Sequence, residues 1–250
     1  MIGYEERFEV LARLCGKEAL ATLREATAIV VGLGGVGSWA AEAMARSAIG
    51  HLRLVDMDTV AVSNTNRQSE AMEGAYGRSK AEVLSERLQA INPEADIEAL
   101  VERVTEENVS RIITPNAVVL ECVDDVDAKA AILLEARKKG DFVIVSGGAG
   151  GRHDPTRIRV ADLAHVTDDP LLSKLRYNLR KNHGFPAGSM KKSKPFGLLA
   201  AFSTEPMQHG PTGDFGTMMP VTVAMGMAVA ATALNALLHE VKGKKNEPHI

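Results

Sequence analysis

The stretch IVVGLGGVG at residues 29–37 combines an apolar run with a glycine-rich turn. The apolar run suits a buried parallel strand, and residues 38–47 continue with apolar side chains at helical spacing. Within the turn, Gly32, Gly34 and Gly37 fit the spacing G-x-G-x-x-G. The first glycine permits a tight turn, the second lets a phosphate approach the backbone, and the third lets helix and strand pack closely. The stretch therefore predicts a phosphate site at a helix N-terminus.

A second strand with an acid at its end follows in LRLVDMD, residues 52–58. Asp56 comes directly after the apolar run, where a carboxylate can accept hydrogen bonds from ribose hydroxyls. The succession of strand, turn, helix, strand and acid predicts a nucleotide site, and it leaves NAD(P), FAD and ATP open. The tract SNTNRQ at residues 63–68 favours ATP among them.

Strand and helix patterns alternate along the chain. Strands are predicted at residues 28–31, 52–55, 97–101, 117–122, 142–146, 157–160 and 200–203. Helices are predicted at residues 4–23, 38–47, 79–91, 106–113, 127–138 and 171–180. This alternation predicts an α/β fold with a Rossmann-like, doubly wound, mostly parallel sheet and a C-terminal extension. We expect residues 1–166 to form a nucleotide-binding domain with an N-terminal helical arm. Residues 167–250 should add a basic loop region, a strand and an apolar helix to the same domain.

Composition narrows the class of protein. The chain has 250 residues and a net charge of −3, which does not mark a nucleic-acid binder or a disordered protein. Cys15 and Cys122 are far apart and lie outside any CxxC motif, which excludes a disulfide framework and a cysteine-based zinc site. The apolar surroundings of Cys122 predict a buried structural thiol. Charged residues at positions 5–7 interrupt any leader-like apolar run, so we expect a cytoplasmic protein.

Residues 218–238 carry no charge and are about long enough to cross a bilayer. However, Pro220, Thr222, Thr232 and Asn235 interrupt the segment, and much of the rest is alanine, glycine and methionine. We therefore expect a buried helix or a subunit contact there rather than a membrane span.

Polar side chains gather where the predicted strands end. They are Asp56 and Asp58, then Asn64, Arg67 and Gln68, then Lys80, and finally Asp124 and Asp125. An ATP site that transfers AMP needs cations to neutralise phosphates and carboxylates to hold ribose and magnesium. Each residue alone has an ordinary structural explanation: Lys80 as a surface lysine, Arg67 as a salt-bridge partner, Asp124 as a helix cap. A nicotinamide enzyme or a non-catalytic nucleotide-binding module would leave their joint appearance unexplained.

Four motifs, GLGGVG, DMDTVAVSNTNRQ, GRSKAEV and ECVDDVDAK, resemble the ubiquitin-activating-enzyme-like superfamily, whose bacterial members activate molybdopterin-synthase and thiamine sulfur carriers. The resemblance implies adenylation of a carboxylate with Mg-ATP. It implies a nucleotide site made of Gly32, Gly34, Gly35, Gly37, Asp56, Asp58, Asn64, Arg67, Gln68 and Lys80. Arg67 and Lys80 would bind the phosphates and Asp124 the metal, which makes these three the catalytic residues. The family often borrows an N-terminal arginine from a partner subunit, so Arg7 or Arg13 in a homodimer is a candidate.

Three further tracts, GGAGGRHDPTRIRVADL, DPLLSKLRYNLRK and FSTEP, resemble the tRNA threonylcarbamoyladenosine dehydratase branch. That branch activates the carboxylate of threonylcarbamoyl on an adenosine beside the tRNA anticodon, after which a ring closes and AMP leaves. Such a reaction needs no enzyme nucleophile, in keeping with the scarcity of cysteine. Adenylation of a small sulfur-carrier protein stays open as the alternative, as do a sulfur-transfer partner protein and a monovalent cation near residues 147–151.

The interval between Asp169 and Glu205 contains no acidic residue. Its cations can neutralise RNA phosphates, and Tyr177 and Phe185 can stack on unpaired bases. The predicted tRNA contacts are Arg176, Arg180, Lys181, Lys191, Lys192 and Lys194. A solvated flexible loop is the alternative explanation for this composition.

Overall fold

A seven-stranded sheet forms the centre of the molecule in the computed structural model, which describes residues 3–188, 194–211 and 213–245, the last six by their backbone alone. The strands are β1 (Thr27–Val31), β2 (His51–Val55), β3 (Asp96–Leu100), β4 (Ala117–Glu121), β5 (Phe142–Ser146), β6 (Ile158–Asp162) and β7 (Leu199–Ser203). Their order is β3-β2-β1-β4-β5-β7-β6, and β6 alone among these seven runs antiparallel to its neighbour. The predicted doubly wound, mostly parallel sheet is confirmed.

Helices cover both faces of the sheet. They are α1 (Tyr4–Arg7), α2 (Glu9–Cys15), α3 (Lys17–Glu25), α4 (Gly37–Arg46), α5 (Lys80–Ile91), α6 (Val109–Ile112), α7 (Val126–Lys139), α8 (Pro170–Asn182) and α9 (Met219–Lys245). One apolar core joins α3, α4, α5 and α9 to the sheet, and a second joins α6, α7 and α8 to the opposite face. Alternate residues of β1 enter the two cores: Val30 lies in the first and Ile29 in the second. This alternation follows from the two-residue repeat of a strand.

The predicted strand bounds are close to the observed ones, and the largest difference lies in the N-terminal arm. The single helix predicted for residues 4–23 is divided into α1, α2 and α3. Phe8 ends the first helix, and Gly16, with φ of +91°, separates the second from the third. A side chain at Gly16 would be strained in that conformation, so the glycine allows the chain to change direction.

The apolar C-terminal segment forms α9, which is long and apolar enough to cross a membrane by length and composition alone. It is nevertheless a helix of the core, as expected, since Val221, Met225 and Val229 are buried against the sheet and α4. At Gly226 an added Cβ would lie 2.6 Å from the Val36 carbonyl oxygen, so the two helices touch through backbone. Close packing of this kind explains the many small residues of the segment.

Candidate active site

A cleft of about 700 Å³ opens where β1, β2, β4 and β5 end. The change of chain direction on either side of β1 leaves a crevice at this edge, where open α/β sheets bind their ligands. The volume lies within the usual range for small-molecule sites, about 300–1,000 Å³. Its walls include all four predicted polar clusters: Asp56 and Asp58, Asn64 with Arg67 and Gln68, Lys80, and Asp124 with Asp125. The structure thus brings together residues that are up to 69 positions apart (56 to 125) in the chain.

The glycine turn between β1 and α4 is built as its spacing predicts. Gly32 has φ of +86°, and an added Cβ would lie 2.7 Å from the backbone of Cys122. At Gly37 an added Cβ would lie 1.8 Å from the Gly32 carbonyl oxygen, so helix and turn pack without room for a side chain. The space above Gly34 is open, because its nearest neighbour would be Gln68 Nε2 at 3.9 Å. A phosphate can therefore approach the backbone at Gly34.

Asp56 ties the glycine turn to the end of β2. One carboxylate oxygen accepts a hydrogen bond from the Leu33 N–H at 2.6 Å, and the other accepts one from the Asp58 N–H at 2.8 Å. Each oxygen retains a second lone pair for a ribose hydroxyl. Lys80 begins α5, where its Nζ donates to Asp58 Oδ2 at 2.9 Å and its side chain is almost fully buried. The alternative of Lys80 as a solvated surface lysine is therefore wrong.

The tract at residues 63–68 forms the second wall. Asn64 has a structural role, because its Oδ1 accepts a hydrogen bond from the Ala61 N–H at 2.9 Å. The Arg67 guanidinium donates to the Ser63 carbonyl at 2.8 Å, and its aliphatic part lies against Gly35. Gln68 is buried, and its Oε1 has no hydrogen-bond partner within the described residues. The Nε2 of the same amide lies on the side of the open glycine turn, where an N–H donor suits a phosphate oxygen.

The two adjacent aspartates after β4 have different roles. Asp125 caps α7 by accepting a hydrogen bond from the Ala128 N–H at 2.8 Å, and it forms an ion pair with Arg103 at 3.1 Å. Asp124 is exposed in the cleft and makes no side-chain hydrogen bond or ion pair to the part of the chain that the structure describes. The helix-capping alternative thus belongs to Asp125, and the Asp124 carboxylate faces the ligand space.

A magnesium ion fits this arrangement in one particular way. In the described ranges, no group of three His, Cys, Asp or Glu residues converges on a point. Magnesium commonly uses one or two carboxylates together with substrate phosphates and water. A single carboxylate at Asp124, opposite the glycine turn, suits a metal that arrives with a nucleotide.

An ion pair beneath the cleft was missed at the sequence level. Glu121 and Lys129 are fully buried and 2.7 Å apart, and Lys129 also donates to the Ser146 carbonyl at 2.8 Å. Burial raises the pKa of Glu121, and the nearby ammonium opposes that rise. The pair joins the ends of β4 and β5 to α7, so it holds the loop of Asp124 relative to the loop of Gly147. A glutamate inside an apolar strand, eight positions before a lysine, is the signal that could have revealed it.

Arg152 holds the loop of residues 147–151 from behind and was also missed. It is buried, its Nη1 donates to the Gly148 and Gly150 carbonyl oxygens, and its Nη2 donates to the Asp168 carbonyl. Asp169 accepts a hydrogen bond from the Gly148 N–H at 2.9 Å. Arg152 therefore binds two carbonyl oxygens, those of Gly148 and Gly150, that would be ligands for the monovalent cation predicted near residues 147–151. The sequence feature that could have indicated this role is a single arginine directly after the glycine-rich run at residues 147–151.

Glu70 lies behind the cleft as a fully buried carboxyl group. Neither of its oxygens has a hydrogen bond of full geometry among the residues described, although its own backbone and the Ser38 hydroxyl lie close enough to favour the charged form. Burial raises the pKa of Glu70 to about 7; the backbone hydrogen bond, Lys80 and Ser38 lower it, and Asp56 adds to the rise. The group is therefore mainly neutral below pH 7 and costs stability when it ionises.

Cys122 lines the cleft without being a nucleophile. Burial, with a smaller contribution from Glu121, raises the pKa of its thiol to about 12. A thiol with that pKa stays protonated at neutral pH, whereas thioester chemistry needs the thiolate. Cys122 is half-buried rather than fully buried as predicted, and its protonated thiol agrees with the predicted structural role.

In the acid-free basic interval between Asp169 and Glu205, only some of the predicted RNA-contacting side chains are exposed. Arg176 is 7% exposed and faces the core, so its burial argues against the predicted RNA contact. Phe185 packs edge-on against Phe196 at 4.9 Å and is not available for stacking as predicted. Tyr177 is exposed beneath the Lys181 ammonium, which lies 5.6 Å from the ring centroid.

The other predicted contacts in this interval differ in position. Arg180 is half-buried and donates to the Pro186 carbonyl at 3.1 Å, whereas Lys194 is exposed. Lys191 and Lys192 lie outside the described residues.

Both N-terminal arginine candidates are engaged within their own chain. Arg7 donates to the Ile91 carbonyl at 3.2 Å. Arg13 forms an exposed ion pair with Glu9 at 2.6 Å, one helical turn away. An exposed pair of this kind is worth at most about 1 kcal/mol, so Arg13 can exchange its partner more easily than a buried arginine could.

Comparisons with known proteins agree with this geometry. The ThiF family model matches residues 7–249. A tRNA threonylcarbamoyladenosine dehydratase of Haemophilus influenzae is 43% identical over an alignment of 250 residues. The alignment covers 94% of this chain and 95% of that protein. The crystal structure of E. coli tRNA N6-threonylcarbamoyladenosine dehydratase with AMP aligns with a TM-score of 0.91 at 39% identity, covering 97% and 98% of the two chains. The same enzyme with ATP gives 0.90 at 39% identity, covering 99% and 100%.

Proposed function

The chain belongs to the ThiF family, and on this premise we propose that it is an ATP-dependent tRNA threonylcarbamoyladenosine dehydratase. The reaction adenylates the carboxylate of a threonylcarbamoyl group on a tRNA adenosine beside the anticodon, and cyclisation then releases AMP. The observation that carries this proposal is the cleft in which Arg67, Lys80 and Asp124 surround an open glycine turn. Phosphate-binding cations and a metal-binding carboxylate are what phosphoryl chemistry on a nucleotide requires.

The residues of the cleft have separate tasks toward ATP. The backbone at Gly34 and the N-terminus of α4 receive the phosphates, while Asp56 accepts hydrogen bonds from the ribose. The Gln68 amide lines the same wall, and its Nε2, on the side of Gly34, can donate a hydrogen bond to the nucleotide. Lys80 and Asp58 line the same cleft, so the Lys80 ammonium is placed to bind a phosphate beside Asp58. Magnesium, held by Asp124, would supply charge neutralisation at the phosphates.

Adenylation and cyclisation can both proceed without a nucleophile from the enzyme. An oxygen of the substrate carboxylate attacks the α-phosphorus, and pyrophosphate leaves. A nitrogen or oxygen of the same modified group then attacks the activated acyl carbon, and AMP leaves with the carboxylate oxygen, so the nucleoside has lost one water. The attacking group belongs to the substrate itself, so the effective concentration is high and no thioester is needed. The protonated thiol of Cys122 supports this course over transfer through an enzyme cysteine.

The face of α8 beside the cleft supports tRNA as the substrate. Leu171 lines the cleft, and Lys174, Tyr177 and Lys181 continue outward from it on the exposed side of the helix. Asn178 donates to Asp127 at 3.0 Å, which holds this face beside the start of α7. Two cationic side chains and an exposed aromatic ring along one face of a helix can bind RNA phosphates and stack on an unpaired base. Among the predicted contacts we retain Arg180, Lys181 and Lys194, with Lys191 and Lys192 as expectations from the sequence.

A homodimer is part of this proposal. The outer face of α9 carries exposed Met219 and Met227, and large exposed apolar side chains on a long helix are typical of subunit contacts. A partner subunit could supply Arg7 or Arg13 to the cleft, as the family resemblance implies.

The decisive experiment is incubation of the protein with Mg-ATP and tRNA that carries threonylcarbamoyladenosine. We expect the nucleoside to lose 18 mass units, the mass of one water, with formation of AMP. Asp124→Asn is the matched control, since it removes the charge from an exposed side chain that makes no hydrogen bond or ion pair with the described residues. If a small carrier protein with a Gly-Gly terminus stimulated pyrophosphate exchange and tRNA did not, the sulfur-carrier alternative would replace the proposal.

A further inference from the structure

Phe215 lies on the rim of the cleft with 55% of its surface exposed. Its ring covers the backbone of Gly150, because a Cβ added to that glycine would lie 2.5 Å from Phe215 Cδ2. Gly150 itself lines the cleft. The opposite side of the ring faces solvent, so an apolar surface stands at the mouth of a polar site. Leaving such a surface exposed forgoes the free energy that burial of a phenylalanine ring normally provides.

The segment that carries the ring, residues 214–218, is attached to both walls of the cleft. The Gly216 carbonyl accepts a hydrogen bond from the Gly151 N–H at 2.8 Å. The Thr217 carbonyl accepts one from Asn66 Nδ2 at 2.8 Å, within the tract of Arg67 and Gln68. The backbone on either side of the cleft therefore determines where the ring stands. Preorganised aromatic surfaces of this kind lose little conformational entropy when they bind a flat ligand.

We propose that Phe215 is the platform on which the substrate purine, the one that bears the reacting carboxylate, stacks during the reaction. This inference rests on the proposed function and names the part of the RNA that the cleft mouth receives. The threonylcarbamoyl arm joins its carboxyl carbon to the purine ring through five bonds, a reach of roughly 6 Å. The purine must consequently come to the mouth of the cleft when its carboxylate meets the α-phosphorus. An exposed aromatic ring at that mouth is what an unstacked base requires in place of its neighbours in the RNA.

The surroundings of the ring favour a nucleic acid over a second copy of the chain. Leu171, at the start of α8, also lines the cleft next to the glycine loop, because Asp169 accepts a hydrogen bond from the Gly148 N–H, and Lys174 and Lys181 follow on the exposed side of the helix. An apolar ring with cations on a neighbouring helix matches a base with its phosphates. A stable subunit contact needs about 800 Å² on each partner, whereas a phenylalanine side chain offers roughly 150–250 Å², so the ring alone does not make such a contact, and light scattering on Phe215→Ala tests whether it belongs to the α9 contact.

The test compares four variants in steady-state dehydration of threonylcarbamoyladenosine-bearing tRNA at saturating Mg-ATP. Phe215→Ala should lower kcat/KM for tRNA by roughly ten- to a hundredfold, the usual effect of losing one base–aromatic stack. Phe215→Tyr should retain activity, because its ring stacks equally well, whereas Phe215→Leu should lose most of it despite its apolar volume. Val160→Ala, on the edge strand β6, is the control for loss of an exposed apolar side chain that does not line the cleft.

Three further readouts separate stacking from a structural role: ATP affinity, the salt dependence of tRNA affinity, and molecular mass. The affinity of Phe215→Ala for ATP, measured by calorimetry, should equal that of the wild type. Its tRNA affinity should fall by a constant factor at every salt concentration, because stacking releases no counterions. A change in ATP affinity, or a halved molecular mass in light scattering, would assign the ring to folding or to a subunit contact and overturn the inference.

The proposed function and this inference fail in different ways. Should the wild-type protein form no AMP with tRNA, both would fall. Should the wild type be active and Phe215→Ala equally active, the stacking role alone would be refuted.

Discussion

The buried carboxyl group of Glu70 makes the stability of the fold depend on pH in a direction opposite to that of most acidic residues. Its folded pKa is about 7, against an ordinary value of 4.5. Since the unfolded chain releases this proton first, the folded state binds more protons between these two values. Stability contributed by the neutral form is therefore complete below pH 4.5 and is lost as the pH rises toward 7 and above.

The size of the effect follows from the same two values. A difference of about 2.5 pKa units corresponds to about 3 kcal/mol when fully developed, and most of it appears between pH 5 and pH 8. Glu70 has no solvent exposure, so screening by water does not reduce this figure. For a chain of this length, about 3 kcal/mol shifts the melting temperature by roughly 6–12 °C.

Thermal and urea denaturation of Glu70→Gln at pH 5, 6, 7 and 8 test this reasoning. The stability of the variant relative to the wild type should improve by about 2–3 kcal/mol from pH 5 to pH 8, because the variant cannot ionise at this position. Glu73→Gln is the matched control, as it removes an exposed carboxylate from the same loop and should follow the wild type at every pH. A difference between Glu70→Gln and the wild type that stays constant over this range would refute the argument.

Three other predictions concern the support and the chemistry of the cleft. Lys129→Met should cost about 3–5 kcal/mol in urea denaturation because it leaves Glu121 buried without its partner, and a loss below 1 kcal/mol would contradict the ion pair. Gly37→Ala should lower the melting temperature strongly, since its Cβ would meet a carbonyl oxygen at 1.8 Å, whereas Gly34→Ala, with 3.9 Å to its nearest neighbour, should keep the melting temperature and weaken ATP binding in calorimetry. Asp124→Asn should reduce AMP formation about a hundredfold or more without changing the melting temperature, and normal turnover would remove Asp124 from the metal site.

Local sequence was sufficient for the sheet and for the outline of the nucleotide site. Apolar runs of strand length alternating with helices allow few arrangements, and parallel strands all end at one edge of the sheet. Residues that follow those strands, such as Asp56 and Asp124, and residues that begin the next helix, such as Lys80, therefore lie at the same edge of the sheet. The glycine spacing predicted the turn for a local reason, because Gly32 and Gly37 meet across a single turn, whereas the contact of Gly32 with the Cys122 backbone was visible only in the structure.

Roles that depend on contacts between distant segments emerged only from the tertiary structure. Charge alone predicts a surface position for Arg176, yet the packing of α8 buries it. Phe185 packs against the ring of Phe196 and is therefore not free to stack on a base. Glu70 has its shifted pKa because the packed chain buries it completely, and Phe215 reaches the cleft because two hydrogen bonds attach its segment to both walls. A residue's burial and its partners are properties of all the chain segments around it. The sequence by itself therefore determined the elements and their order, and the three-dimensional packing decided which polar groups face the ligand and which support the fold.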